Sequence, residues 1–261
     1  MENKSLFNYL RFLILSIVMM SFSFSSSQNN SNTDEVEKVS TNHKWMQAIN
    51  KKDLPLLETL YTEKALVLSE NGADLSSREE ILKLVAQSDF EVKDVTTIKR
   101  IKAHQSYDYE IGRFKNKDGN LMKHFIVWNT ADNKEVREIE FLAEAKKNRV
   151  DIDKIKNQRE QWMALCNAHN AKTLIETMYT ENTMYYNRGR LLQGRDQLSK
   201  EYQYMNNPQY TLKLEPILVE PVSDSIVYEF GQCVGSYNGK YVLIWQKNSE
   251  GIWQIIFDTN I

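Results

Sequence analysis

The sequence predicts an α+β fold: two tandem cone-shaped domains, each with N-terminal helices packed on a curved antiparallel sheet. Three observations predict it. The chain repeats itself once, at a spacing of about 117 residues. Each copy opens with helical periodicity. Each then turns to period-two alternation broken by turn residues.

The repeat is read from ordered matches. Trp45-Met46 recurs as Trp162-Met163, and Tyr61-Thr62-Glu63 as Tyr179-Thr180-Glu181. Arg78 to Ile81 recurs as Arg195 to Leu198, Tyr109 to Gly112 as Tyr228 to Gly231, and Trp128 as Trp245. Ile139-Glu140-Phe141 aligns with Ile255-Ile256-Phe257. The offsets stay between 116 and 119, so order and spacing hold together. A period this long describes whole domains, because solenoid units run about 20–50 residues.

In the second copy Trp162, Leu165, Cys166 and His169 fall on one helical face. A second helix is expected over about 171–180 and a third over about 195–205. Tyr210, Leu212 and Leu214 then alternate with polar residues, the pattern of a half-buried strand. Three further strands are expected near 225–235, 240–247 and 252–258. Asn238-Gly239, Ser249-Glu250-Gly251 and, in the first copy, Lys117 to Asn120 supply the hairpin turns. Helices followed by consecutive hairpins give a sheet covered on one face.

Composition bounds the function. The chain has 261 residues, 41% hydrophobic and 26% charged, with a formal net charge of -2. No basic surplus points to nucleic acid. Lys4 and Arg11 precede an apolar run from Phe12 to Met20 and a serine-rich stretch to Ser27. A basic start, a short apolar core and small residues form a secretory signal pattern over 1–27, which implies a periplasmic or secreted protein. The alternative is an uncleaved membrane anchor, for which the apolar run is short. Residues 28–39 read as a solvated linker, 40–147 as the first domain and 150–261 as the second. Cys166 and Cys233 read as buried thiols, and a bridge between them needs close Cβ atoms.

Laid out this way, the chain resembles the nuclear transport factor 2-like superfamily, with its ketosteroid isomerase and SnoaL-like cyclases. The resemblance is carried by Trp162, Gly194-Arg195, Tyr228-Glu229-Phe230-Gly231, Tyr241 to Trp245, Gly251-Ile252-Trp253 and Asp258-Thr259-Asn260. It covers nearly all of 150–261. The first copy departs from it at Ser77, at Arg137 in place of the last Trp, and at Leu142 in place of the terminal Asp. The resemblance implies a cone with a cavity between the first helix and the inner sheet face. It also implies pairing through the open sheet faces, either between the two copies or between two chains.

Isomerase chemistry needs a carboxylate base and acidic donors for an enolate. The resemblance places the base at Asn187, which cannot act as one, and near Ser69 and Glu70 in the first copy. The family's helix-1 tyrosine falls on Trp162, and its protonated Asp on Tyr241 and His124. His43, His104, His124 and His169 show no metal-ligand spacing, and no cofactor motif is present. What remains is an apolar cavity whose candidate residues are Trp162, Tyr186, Tyr202, Tyr228, Tyr241, Trp245 and Asp258. With Tyr109 and Tyr228 facing in, Glu110 and Glu229 are expected to face out. The first expectation is an exported protein whose second domain binds a small apolar or aromatic molecule without catalysis. The alternatives are an enzyme on a small organic substrate, with Asp258 moving protons, and an interaction module using its sheet faces.

Overall fold

The computed structural model describes residues 40–70, 74–146 and 150–261. The expected leader over 1–27 and linker over 28–39 lie outside the described residues. Among those residues no helix is long and apolar enough to cross a membrane.

The first domain runs α1 (Thr41–Lys51), α2 (Leu54–Leu60), β1 (Tyr61–Ser69), α3 (Arg78–Gln87), β2 (Val92–His104), β3 (Tyr107–Asn116), β4 (Leu121–Asn129) and β5 (Val136–Glu144). The second repeats that order. It runs α4 (Ile152–Asn167), α5 (Ala171–Met178), β6 (Tyr179–Asn187), β7 (Arg190–Gln193), α6 (Gly194–Glu201), a 3-10 turn (Tyr202–Asn206), β8 (Leu212–Pro221), β9 (Ile226–Gly235), β10 (Gly239–Lys247) and β11 (Trp253–Asn260). The repeated Tyr-Thr-Glu opens β1 and β6 rather than closing a helix. Tyr179 is already extended at φ -111 and ψ 149.

Short helices are fixed at their starts by side-chain caps. The Ser77 hydroxyl accepts from the Glu80 amide, and the Glu80 carboxylate accepts from the Ser76 amide. Asn170 caps α5 in the same way, through Thr173. Each cap satisfies a backbone donor that has no partner inside the helix. Two glycine turns take the left-handed backbone expected of them, Gly119 at φ 83 and Gly251 at φ 82. The third differs: Gly235 carries the positive φ, and the Asn238 side chain bonds back to its carbonyl.

The strand orders are β1-β5-β4-β3-β2 and β7-β6-β11-β10-β9-β8. Each sheet is antiparallel except for one pair, β1 with β5 and β6 with β11, which run parallel. β1 and β6 follow a helix rather than a hairpin, so they arrive from the opposite end. In both sheets the last pairing skips one residue, between Trp128 and Val127 and between Trp245 and Ile244.

Three apolar cores result. One lies inside the first cone, around Trp45, Leu57, Ile81 and Phe114. One lies inside the second, around Trp162, Ile175, Tyr202 and Trp245. The third joins the outer faces of the two sheets, with Phe125, Val127 and Phe141 meeting Tyr228, Phe230 and Phe257. Full burial of each such side chain contributes about 1.5–3 kcal/mol. Polar contacts seal this seam. The Tyr228 hydroxyl donates to the carbonyl of Phe141 (3.3 Å), and Lys123 pairs with Glu220 (2.5 Å). Ser225 donates to Glu70 (2.7 Å).

Candidate functional site

Strand register fixes which residues correspond in the two cones. Gly112 faces His124 as Gly231 faces Tyr241, and Glu110 faces Ile126 as Glu229 faces Leu243. Ile126 then faces Glu140 as Leu243 faces Asp258. Glu140 is therefore the counterpart of Asp258, and Arg137 that of Ile255. This corrects the alignment by sequence, which put Leu142 at the Asp position and Arg137 at the last Trp. Each cone therefore holds two carboxylates, one on the second strand beyond its parallel pair (Glu110 on β3, Glu229 on β9) and one on the last strand (Glu140 on β5, Asp258 on β11).

The sheet also reverses an expected orientation. Glu110 and Glu229 point into the cones, while Tyr109 and Tyr228 lie in the shared core. The reason is that both faces of each sheet are covered, so neither face needs to be polar.

An arginine occupies the interior of the first cone. Arg137, fully buried, donates to Glu140 (2.6 Å) and to the side-chain amide oxygen Oδ1 of Asn42 (2.7 Å). Its guanidinium lies 4.0 Å from the centre of Trp45 and 5.0 Å from that of Trp128. His124 Nδ1 sits 2.8 Å from Glu140, and the Trp45 indole donates to the Tyr61 hydroxyl (2.6 Å). Burial alone would raise the Glu140 carboxyl; Arg137 and His124 outweigh it and hold it below its ordinary value. Glu110 accepts from Asn42, Thr97 and Trp128 at 2.7–2.8 Å.

The second cone distributes charge differently. Its arginine, Arg159, comes from α4 and pairs with Glu229 (3.0 Å), which also accepts from Tyr241 (2.8 Å) and Trp245 (3.1 Å). Burial still leaves the Glu229 carboxyl above its ordinary value. Asp258 has no cation beside it among the described residues. The hydroxyls of Tyr179 (2.7 Å) and Tyr202 (2.5 Å) both donate to its Oδ2, and the Trp162 indole donates to Tyr179 (3.0 Å). Asp258 is 3% exposed, and its carboxyl is pushed up to about 6 by burial, against the pull of those two hydroxyls. Burial together with the Asp258 charge holds both tyrosines well above their ordinary range, so they remain protonated donors.

Beside Asp258 lies a cavity of about 20 Å³, room for about one water. Trp162, Tyr202 and Tyr241 line it, with Tyr204, Tyr210 and Tyr237 towards the mouth. Tyr204 is 43% exposed. Cys233 also reaches the wall; it and Cys166 are free buried thiols, each pushed up to about 12 by burial. A larger depression beside Ser76 and Arg78 is open to solvent, and its arginine already pairs with Glu58 (3.4 Å).

Of the residues expected at a pocket, the structure brings Trp162, Tyr202, Tyr241 and Asp258 together at this cavity. Trp245 stands one step away, on Glu229. Tyr186 and Tyr228 do not reach it. They face the seam between the sheets, because Tyr185 and Glu229 take the inner positions on their strands. Asn187 donates to the Tyr185 hydroxyl (3.1 Å). His169 closes α4 with a positive φ of 57 and bonds the Met205 carbonyl (3.2 Å). Arg159 was missed by sequence reasoning. Its signal is a charge on a buried helical stripe formed by Ile155, Arg159, Trp162 and Cys166.

No family model matches the chain, and no curated protein matches it. The chain is similar to solved structures over somewhat less than half its length. One is an NTF-2 like protein of unknown function from Shewanella oneidensis MR-1. It is 18% identical, and the match covers 42% of this chain and 98% of that one, with a TM-score of 0.38. Another is an NTF2-like protein from Cytophaga hutchinsonii, 14% identical over 43% and 99% of the two chains, with a TM-score of 0.36. A third is a putative scytalone dehydratase from Novosphingobium aromaticivorans, 14% identical over 42% and 81%, with a TM-score of 0.36.

Proposed function

We propose that the second domain is the binding element of an exported protein and holds a small, largely aromatic or apolar molecule without converting it. The first domain supports it. Export rests on the signal pattern of Lys4, Arg11 and the apolar run to Met20. The binding reading rests on one contrast. The first cone is plugged by Arg137, while the second keeps a void beside a buried carboxylate, walled by aromatic rings. Concave, mostly apolar sites with a few placed polar groups are where small molecules bind.

The void itself holds about one small group, so the body of the ligand lies at the mouth, among Tyr204, Tyr210 and Tyr237. Entry needs the exposed Tyr204 to swing aside. Its place on a short 3-10 turn makes that a local movement. Against catalysis stands the surround of Asp258. Its titratable neighbours in the cavity wall are phenols and a thiol held in their protonated forms, and no imidazole or amine lines the wall among the described residues.

Thermal shift of the full chain against small aromatic compounds tests this reading. Stabilisation is expected for the wild type and lost in Leu214→Trp, which fills the cavity from the sheet. Stabilisation that survives Leu214→Trp, or none with any compound, would overturn it. Turnover of a bound compound would instead favour the enzyme alternative, with Asp258 as a base poised near neutral pH.

A further inference from the structure

We propose that the molecule taken by the second cone is a cation: a small aromatic or aliphatic body bearing a primary ammonium group that docks on Asp258. This rests on the binding reading above and names its ligand class.

The two cones account for their charges differently. In the first, the last-strand carboxylate, Glu140, has a guanidinium at 2.6 Å from Arg137. In the second, Ile255 occupies the position of Arg137, and the cone's arginine sits on the other carboxylate, Glu229. Asp258 keeps only two neutral donors, and both converge on Oδ2. Its Oδ1 accepts no hydrogen bond from the described residues. A buried carboxylate is costly unless paired, and none of the described residues supplies the pairing group.

The void at Asp258 has the dimensions of such a group. At about 20 Å³ it takes one water or one ammonium head and excludes a ring. Six aromatic residues, Trp162, Tyr202, Tyr204, Tyr210, Tyr237 and Tyr241, form part of its wall, and aliphatic side chains, Cys233 and Asn260 complete it. The faces of aromatic rings attract cations, most strongly where water is excluded. The first cone shows the same chemistry occupied from within: the Arg137 cation stacks on Trp45, the counterpart of Trp162, while bound to the counterpart of Asp258. Anions are disfavoured by the Asp258 carboxylate, which unlike Glu229 has no arginine beside it among the described residues. A neutral alcohol can donate to Oδ1 but brings no charge.

Calorimetric titration of the full chain with phenethylamine and its neutral isostere 2-phenylethanol, at pH 8, tests the proposal. The amine is expected to bind at least ten-fold more tightly, and Asp258→Asn to erase that preference. Equal affinities, or a preference that survives Asp258→Asn, overturn the cationic ligand while leaving the binding reading intact. Binding of neither compound, with no stabilisation by neutral aromatics, removes both. If Asp258→Asn fails to fold, the wild type alone decides. Its preference for the amine is expected to shrink at least five-fold between pH 8 and pH 5, as Asp258 takes up a proton. An amine preference that holds at pH 5 overturns the proposal.

Discussion

Asp258 is the most unsettled side chain in the second cone. Its carboxyl rises from 3.8 to about 6 because burial penalises the charge more than Tyr179 and Tyr202 relieve it. The folded state therefore holds a proton that the unfolded chain has released over that interval. Stability is greatest below about pH 4 on this account and is lost as pH rises through about 6. One pK unit is about 1.4 kcal/mol, so the ionised Asp258 costs about 3 kcal/mol above pH 7. Asp258→Asn is expected to be more stable than the wild type at pH 8, by about 1–3 kcal/mol, and to lose that advantage near pH 4. Urea unfolding of both proteins at the two pH values checks this. A difference that does not change with pH would show that the carboxyl is ordinary. A residue kept at a cost to stability fits a role in binding.

At the scale of elements, one skipped residue in β5 decides the contents of the first cone. In a regular strand residues three apart point to opposite faces. The bulge at Glu138 lets Arg137 and Glu140 share one face, and they bond there. Arg137→Ala is expected to destabilise the protein by about 3–5 kcal/mol, the usual effect of leaving one partner of a buried pair alone. Urea midpoints measure it, and a loss under about 1 kcal/mol would mean that the network contributes little. The bulge is common to both sheets, so it is the β4–β5 connection, one residue shorter from Trp128 to its partner Arg137 than from Trp245 to Ile255, that made this site hard to read. The helical stripes, two of the three hairpin glycines and the Trp and Tyr-Glu-x-Gly repeats were legible, because each leaves a local signal. The partnership of Glu140 with Asp258 was not, since the insertion or loss of a residue between repeats shifts every later match. Glu229 was assigned to the wrong face for a different reason. Alternation marks a wet and a dry face, and a sheet buried on both has no wet face to mark.

Across the whole molecule, the seam of Phe125, Phe141, Tyr228, Phe230 and Phe257 makes neither cone independent of the other. A single domain without its neighbour would expose the apolar side chains of that seam to water, a contiguous patch of the kind that marks an interface. The two domains are expected to unfold in one transition. Each carries its own tryptophans, so variants that keep indole only at Trp45 and Trp128, or only at Trp162 and Trp245, report each cone by fluorescence. Coincident urea curves are expected, and two separated curves would show the seam to be weak.

That seam has a further consequence. When two copies of one gene product associate, every substitution is written twice, and neither partner can change alone. Here the partners are consecutive stretches of a single chain, so equivalent positions such as Arg137 and Ile255 can differ. One half can spend its interior on rigidity while the other keeps its vacancy. A fused pair can therefore hold two different interiors, which a symmetric dimer cannot.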